Sequence, residues 1–460
     1  MMPGATCSLL TERKPSGIET PNQPSSPIRT QPFREQRGNR PQEDFDLNYN
    51  PHETYKGNSA TSDSHSGEAE TQAEPSASGL RRIVVISDFQ DGDWSTREVP
   101  SAAWFADQWI SGSRGNSPSP SPPRQAIKVD GGYIERLPLA ALRSGLVNCA
   151  EVWTHWRGDM PPPDWTTGNP FLTRRAFRMN GPDAPFDSND MLGHIEAFGP
   201  PSILCVWGLG VGEDVLSACR SSFKIYNSID APALRIPFAV SRHFDLVLTG
   251  AEWQSEEVRS RHADIPIAIM PIGPEFASAQ TFRPLGLPKI YDVIYVAAAQ
   301  PYKRHDILFS ALCKLPRSLR TLCVCGYGEM IDLLYHQANK LGLSIDFVSP
   351  PGVPFAEVNR LMNQARIGVV CGINDGAPAI LTEYMLAGIP VLANSKLSCG
   401  LQYITPQTGR TASAEDFHQG IEDMLGQLDT FHPREVVLAN WTWPHSVQKL
   451  KRLIDKIRPL

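Results

Sequence analysis

Two carboxylates eight positions apart, Asp375 and Glu383, stand in the run Asn374-Asp375-Gly376-Ala377-Pro378-Ala379-Ile380-Leu381-Thr382-Glu383-Tyr384-Met385-Leu386-Ala387-Gly388-Ile389-Pro390-Val391-Leu392-Ala393. The pattern predicts a strand over 367–371, a glycine-containing turn, a helix and a second strand over 390–393. Pro378 suits a first helical turn, where no N–H is needed, and Gly388 suits its end. The backbone N–H groups near Gly376 and Ala377, at the positive end of that helix, suit an anion such as a phosphate. Asp375 precedes the helix and Glu383 lies about one and a half turns into it. Both can face one ligand and accept hydrogen bonds from sugar hydroxyls. An ordinary strand-to-helix turn with two solvated acids fits the same residues.

Upstream, Lys303 and Arg304 follow the apolar run 292–298; by themselves they read as a solvated pair in a loop. Cys325-Gly326-Tyr327-Gly328-Glu329 is a second glycine turn after a strand. Gly208, Gly210 and Gly212 form a third, with Asp230 eighteen residues beyond Gly212. That arrangement approximates a dinucleotide fingerprint. The last glycine comes one residue early for its packing role, so a tight turn lining a cleft is preferred, with Gly208, Gly210, Gly92 and Asp230 as cleft or acceptor-side residues. His155 is either an acceptor-site residue or a packed surface histidine.

These residues need elements to hold them. Buried strands are predicted over 81–88, 147–153, 203–207, 223–228, 244–249 and 265–270, with helices over 213–220 and 255–261. An amphipathic stretch covers 101–110, followed by a Ser-Pro-Gly loop over 113–123. After Phe282-Arg283-Pro284 a second series begins. Its strands cover 292–298, 321–325, 344–348, 367–371 and 390–393, and its helices 306–315, 329–341, 355–364 and 379–387. Alternating strands and helices mean parallel sheets. The expected fold class is α/β, with two Rossmann-like doubly wound domains and a ligand in the crevice between them, at the carboxyl ends of strands. The expected division is 1–80, 81–274 joined by the C-terminal helix 441–460, and 275–440.

Residues 1–80 hold nine Pro and ten Ser, and eleven acids against seven bases. Such a segment buries too little apolar surface to offset ordering entropy, so it is expected to be a disordered tail. The whole chain of 460 residues carries a net charge of −6, which argues against a dedicated nucleic-acid binder. No apolar run approaches the ~18–20 residues of a membrane span, and Met1-Met2-Pro3-Gly4 opens no secretory signal. The nine cysteines are scattered. They are expected as buried free thiols in a reducing cytoplasm. No metal-ligand spacing exists among the eleven His, and no metal is expected.

The run around Asp375 and Glu383 resembles the signature of family 4-like retaining glycosyltransferases of the GT-B fold, the "glycosyl transferases group 1" type. Glu383, Gly388, Pro390 and Val391 match, while Asp375 stands where the family usually has Glu. Val296 to Leu308 resembles the family's strand-loop-helix with Lys303 on its diphosphate-binding lysine. The family's arginine falls on Ala298, and Arg304 takes the usual glycine position, where its charge could replace the lost one. Ile269 to Gly273 with Phe282-Arg283-Pro284 resembles the interdomain crossing. Asn440 to Ser446 and the helix after it resemble the family's return to the first domain. Ile229 stands where a histidine beside Asp230 is usual.

The resemblance covers residues 200–460. It implies transfer of a sugar, a hexose foremost, from a nucleotide diphosphate sugar with retention of configuration, without a metal or other cofactor. Asp375, Glu383 and Lys303 become the catalytic group. Lys303, Arg304, Gly376, Ala377, Pro378, Glu383, Gly326 and Gly328 become the donor-binding group. The partners are a nucleotide-sugar donor and a carbohydrate, lipid-linked or protein acceptor. The departures at Ala298, Ile229 and Asp375 keep a second expectation open, a catalytically impaired nucleotide-sugar-binding or interaction protein. A dehydrogenase using Gly208 to Asp230 is a third. The expected location is cytoplasmic, with a peripheral place at the inner membrane surface left open by the basic segment 449–458.

Overall fold

The computed structural model describes residues 81–91, 124–161, 163–164, 169–228, 232–376 and 378–460. The tail 1–80, the segments 101–110 and 113–123, and Gly92, Ile229, Asp230 and Ala377 lie outside the described residues. Seven strands form the first sheet: β1 (Arg82–Asp91), β2 (Cys149–Arg157), β3 (Thr173–Arg178), β4 (Ile203–Trp207), β5 (Phe223–Asn227), β6 (Leu246–Thr249) and β7 (Ile267–Ile269). Their order is β3-β2-β1-β4-β5-β6-β7, all parallel. Six more form the second: β8 (Tyr291–Val296), β9 (Thr321–Val324), β10 (Ile345–Val348), β11 (Ala365–Val370), β12 (Val391–Asn394) and β13 (Gly409–Ala412). Their order is β10-β9-β8-β11-β12-β13, again all parallel.

Thirteen helices are described: α1 (Tyr133–Ser144), α2 (Asn189–Phe198), α3 (Glu213–Ala218), α4 (Phe238–Ser241), α5 (Glu252–Arg261), α6 (Ile272–Glu275), α7 (His305–Cys313), α8 (Ile331–Lys340), α9 (Phe355–Asn363), α10 (Ile380–Leu386), α11 (Phe417–Leu425), α12 (Pro433–Asn440) and α13 (Trp443–Ile457). Parallel strands read as unbroken apolar runs because both faces of the sheet are covered. Ile83, Val85, Ile203, Cys205 and Ile225 enter one core, and their neighbours Val84, Ile86, Leu204, Val206 and Tyr226 enter the opposite one. In the second sheet Val293 and Tyr295 pack with Phe309, while Ile294 and Leu322 pack with Leu381, Tyr384 and Met385 of α10.

Helix α13 returns to the first sheet and packs on α1, placing Val447, Leu450, Leu453 and Ile454 in the core with Ile83 and Val85. Each such side chain contributes about 1.5–3 kcal/mol by burial, enough to hold the chain end in place. The basic residues at that end tie the chain down. Lys449 Nζ donates to Ile269 O at 3.1 Å, and Arg458 reaches Asp245 at 2.9 Å.

Several elements go beyond the strand and helix pattern read from sequence. Helix α1 carries Pro138 in its interior, a residue that removes a helical hydrogen bond and hides the element. Strand β3 is rich in arginine and strand β13 has only four residues. Strand β2 runs on to Arg157, so His155 is fully buried beside Phe186 rather than at the surface. Among the described residues every cysteine is a free thiol, Cys149 and Cys313 being only half-buried. No helix among them is long and apolar enough to cross a membrane.

Candidate active site

A doubly wound sheet has one place where successive connections leave in opposite directions, and ligands collect there. In the second sheet β8 leads to β9 on one side, while β11 joins β8 on the other. The loops leaving β8 and β11 therefore part over a crevice. A cleft of about 680 Å³ occupies it, lined by Ala298, Lys303, Gly326, Asp375, Gly376, Pro378 and Glu383 on its polar side. Tyr302, Tyr327, Val353, Phe355 and Val358 supply apolar surface.

Lys303 ends the short turn Pro301–Lys303, which Tyr295 anchors from beneath by donating its hydroxyl to the Lys303 carbonyl. The Lys303 ammonium donates to Asp375 Oδ2 and lies 4.9 Å from the Tyr302 ring centroid. Asp375 is buried, with 8% of its surface exposed. His305 lies just beyond, and burial, assisted by the Lys303 charge, holds its pKa down at about 4. It is neutral at pH 7 and adds no charge beside Lys303. Ala298 lines the cleft and brings no charge.

Glu383 projects from α10, which is fixed against β8 by Tyr384. The Val296 N–H donates to the Tyr384 hydroxyl at 2.6 Å, and that hydroxyl donates to Ile294 O at 3.3 Å. Across from it stands a residue absent from the sequence reading. Arg136 of α1 donates Nη2 to Glu383 Oε1, Nη1 to Gly273 O at 2.8 Å and Nε to Gly131 O at 3.1 Å. The available signal was Gly131-Gly132 ahead of an apolar helical stretch interrupted by one arginine.

Arg304 stands apart from these. It has φ 53° and ψ 49°, and its guanidinium makes paired bonds of 2.8 and 2.7 Å to Asp306. It does not line the cleft. Arg304→Gly removes a left-handed strain of roughly 1–2 kcal/mol, offset by glycine's chain entropy and the exposed ion pair. We expect its urea midpoint to move by less than about 1 kcal/mol in stability, with nucleotide affinity unchanged. A clear loss of affinity would show instead that the guanidinium serves the phosphate.

Gly326 lines the cleft, whereas Gly328 supports it from behind; at φ 121° it packs so closely on Ala299 that a Cβ would meet the Ala299 carbonyl at 2.4 Å. Gly208 and Gly210 lie outside this cleft, after β4, where the first sheet reverses direction. Gly208 O accepts from the Tyr226 hydroxyl at 2.7 Å. The Asp187 carboxylate occupies the space a Cβ on Gly212 would need, at the start of α3. An acid already sits where a dinucleotide's pyrophosphate would bind, which weighs against the dehydrogenase expectation.

The two sheets meet at the cleft's edge. Gly250, just after β6, packs on Gly376, whose carbonyl would lie 2.5 Å from a Cβ there. Trp253 Nε1 donates to Ser398 O at 2.7 Å, Gln402 Nε2 to Gly250 O at 3.0 Å and Thr382 Oγ1 to Pro274 O at 3.0 Å. At the carboxyl end of β5, Asn227 and Ser228 are fully buried, and their side-chain polar atoms have no hydrogen-bond partner among the described residues.

Two parallel sheets facing a cleft that is walled by a lysine and two acids have the architecture of the GT-B glycosyltransferase fold. Residues 280–426 match the model of the family described as glycosyl transferases group 1. The fold is shared with a sucrose-phosphate synthase from Thermosynechococcus elongatus, at 14% identity and TM-score 0.57, over 82% of this chain and 98% of that one. It is shared also with HepE of Anabaena, solved with UDP and glucose, at 10% identity and TM-score 0.54, over 82% and 100%. Against the pneumococcal O-GlcNAc transferase GtfA, at 13% identity and TM-score 0.48, the match covers 58% of this chain and spans 60% of that one. No curated protein sequence matches the chain significantly.

Proposed function

We propose that the protein transfers a sugar from a nucleotide diphosphate sugar to an acceptor hydroxyl with retention of configuration. The observation that carries this is the convergence of Lys303, Asp375 and Glu383 on one cleft of the group 1 domain. When the bond between the anomeric carbon and the phosphate oxygen breaks, its electron pair leaves with the diphosphate. Lys303 and the backbone N–H groups at the start of α10 meet that growing charge. Asp375 accepts hydrogen bonds from the sugar and Glu383 from the ribose. The apolar wall of Tyr327, Val353 and Phe355 suits the base. The reading needs no metal. Residues 81–274 with 441–460 would take the acceptor and 275–440 the donor, and hydroxyls of either sugar would satisfy Asn227 and Ser228. A cytoplasmic location accords with the free thiols.

Titration of the full chain with UDP, GDP and ADP by calorimetry tests the donor site. UDP comes first, because the fold neighbour HepE was solved with it. Binding of one nucleotide, abolished in Lys303→Ala, is the expected result; no binding by any of the three overturns the assignment. A second reading, a nucleotide-sugar binder without turnover, is favoured by a single observation. Among the described residues the cleft is lined by one cation, already paired with Asp375, and Ala298 adds none. Nucleotide binding without transfer or hydrolysis of any donor sugar would select it.

A further inference from the structure

Arg136 is 2% exposed and stands among Leu137, Leu139 and Ala140, all fully buried. Burying a guanidinium is costly unless every donor is used and a counter-charge is present. Its three acceptors come from three parts of the chain: Gly131 ahead of α1, Gly273 in the crossing between the sheets, and Glu383 of α10. Arginine's rigid planar fork can satisfy such divergent acceptors, and lysine's single ammonium cannot. The other links between the two sheets named above are neutral hydrogen bonds; among the described residues Arg136–Glu383 is the ion pair that joins them. Only Oε1 of Glu383 is used. Oε2 takes no hydrogen bond from the described residues, and Glu383 lines the cleft.

We propose that Arg136 is a positioning residue that holds one Glu383 oxygen toward the nucleotide, so that the donor site is complete only when the two domains are closed. The proposal rests on the reading of Glu383 as the group facing the ribose. Opening the domains withdraws Arg136 and frees the Glu383 side chain to leave its binding geometry. Nucleotide affinity and domain closure are therefore linked through one ion pair, and each must strengthen the other.

The test uses the full chain with Arg136→Gln, Arg136→Lys, Glu383→Gln and the double variant Arg136→Gln/Glu383→Gln. Circular dichroism first confirms that each is folded. Arg136→Gln should weaken binding of the nucleotide by about 10- to 100-fold. Arg136→Lys should recover part of it, and the double variant should bind no worse than Glu383→Gln alone. Small-angle scattering without nucleotide should show Arg136→Gln and Glu383→Gln both more open than the parent. Additive losses in the double variant would show that Arg136 acts independently of Glu383, and unchanged scattering would overturn the latch. Should Arg136→Gln fail to fold, Glu383→Gln removes the same pair from the other side and must open the domains likewise. Should the parent bind none of UDP, GDP and ADP, the donor-site reading fails, while the scattering comparison still decides the latch.

Discussion

Glu151→Gln is expected to lower the stability of the fold by about 3–5 kcal/mol, read as a large fall in the urea midpoint. Glu151 is completely buried on β2. It receives Arg175 Nε at 2.9 Å, the Trp153 indole N–H at 2.7 Å and Arg82 Nη1 at 3.5 Å. Arg82 and Arg175 are 2% and 5% exposed. Removing the carboxylate leaves two guanidinium groups with no buried counter-charge, and Asp164 reaches only Arg175. A glutamine keeps the shape but has one acceptor oxygen, so hydrogen bonding alone cannot restore the site. The triple change Glu151→Leu/Arg82→Met/Arg175→Leu should recover most of the loss, because it removes the charges together. A loss below about 1 kcal/mol in the single variant would mean the charges are better solvated than their burial implies.

The same cluster sets a pH dependence. Burial alone would raise the Glu151 carboxyl, but Arg175 and Arg82 outweigh it and pull its pKa down to about 2. The unfolded chain binds this proton near pH 4.5. The stabilisation is thus complete above about pH 5 and is lost as the pH falls toward 2. Three histidines act in an earlier window. Burial holds His155, His194 and His305 at about 4, against 6.5 in the unfolded chain. Their protons are taken up by the unfolded chain first, so stability declines as the pH falls from about 6.5 to 4. Parent and Glu151→Gln should therefore lose stability in parallel down to about pH 5, and the gap between them should narrow only below that.

What could be read from the sequence was local. The strand-turn-helix around Asp375 is written in consecutive residues, with Pro378 at one end of the helix and Gly388 at the other. Strands buried on both faces announce themselves as apolar runs, as in Ile203–Trp207. What escaped was either interrupted or distant. Pro138 concealed α1, and the partner of Arg136 is 247 residues away, a separation no periodicity records. Strand β3 was hidden by its own chemistry, since Arg174 and Arg175 read as surface residues until Glu135 and Glu151 are brought to meet them. Arg304 failed differently. Its charge invited a phosphate, but its left-handed backbone turns the side chain back to Asp306, two residues on.

Lys303→Ala and Asp375→Asn should move nucleotide affinity in opposite directions. Without a ligand, Lys303 and Asp375 neutralise one another in a cleft that also holds Glu383. An arriving diphosphate must compete with Asp375 for the ammonium. Lys303→Ala leaves Asp375 without its counter-charge, and among the described residues of the wall no cation then remains for a diphosphate, so binding should fall by 100-fold or more, by about 3 kcal/mol. Asp375→Asn frees Lys303 and removes a like charge, so the nucleotide alone should bind several-fold more tightly, by roughly 1 kcal/mol. Transfer should nevertheless drop, because an amide is a poorer acceptor for the sugar hydroxyls whose positions decide the reaction. Tighter nucleotide binding with slower turnover would separate the charge role of Lys303 from the sugar role of Asp375. If Asp375→Asn weakened nucleotide binding as strongly as Lys303→Ala, the acid would be holding the lysine in place rather than competing for it, and the sugar contact would have to be sought elsewhere in the cleft.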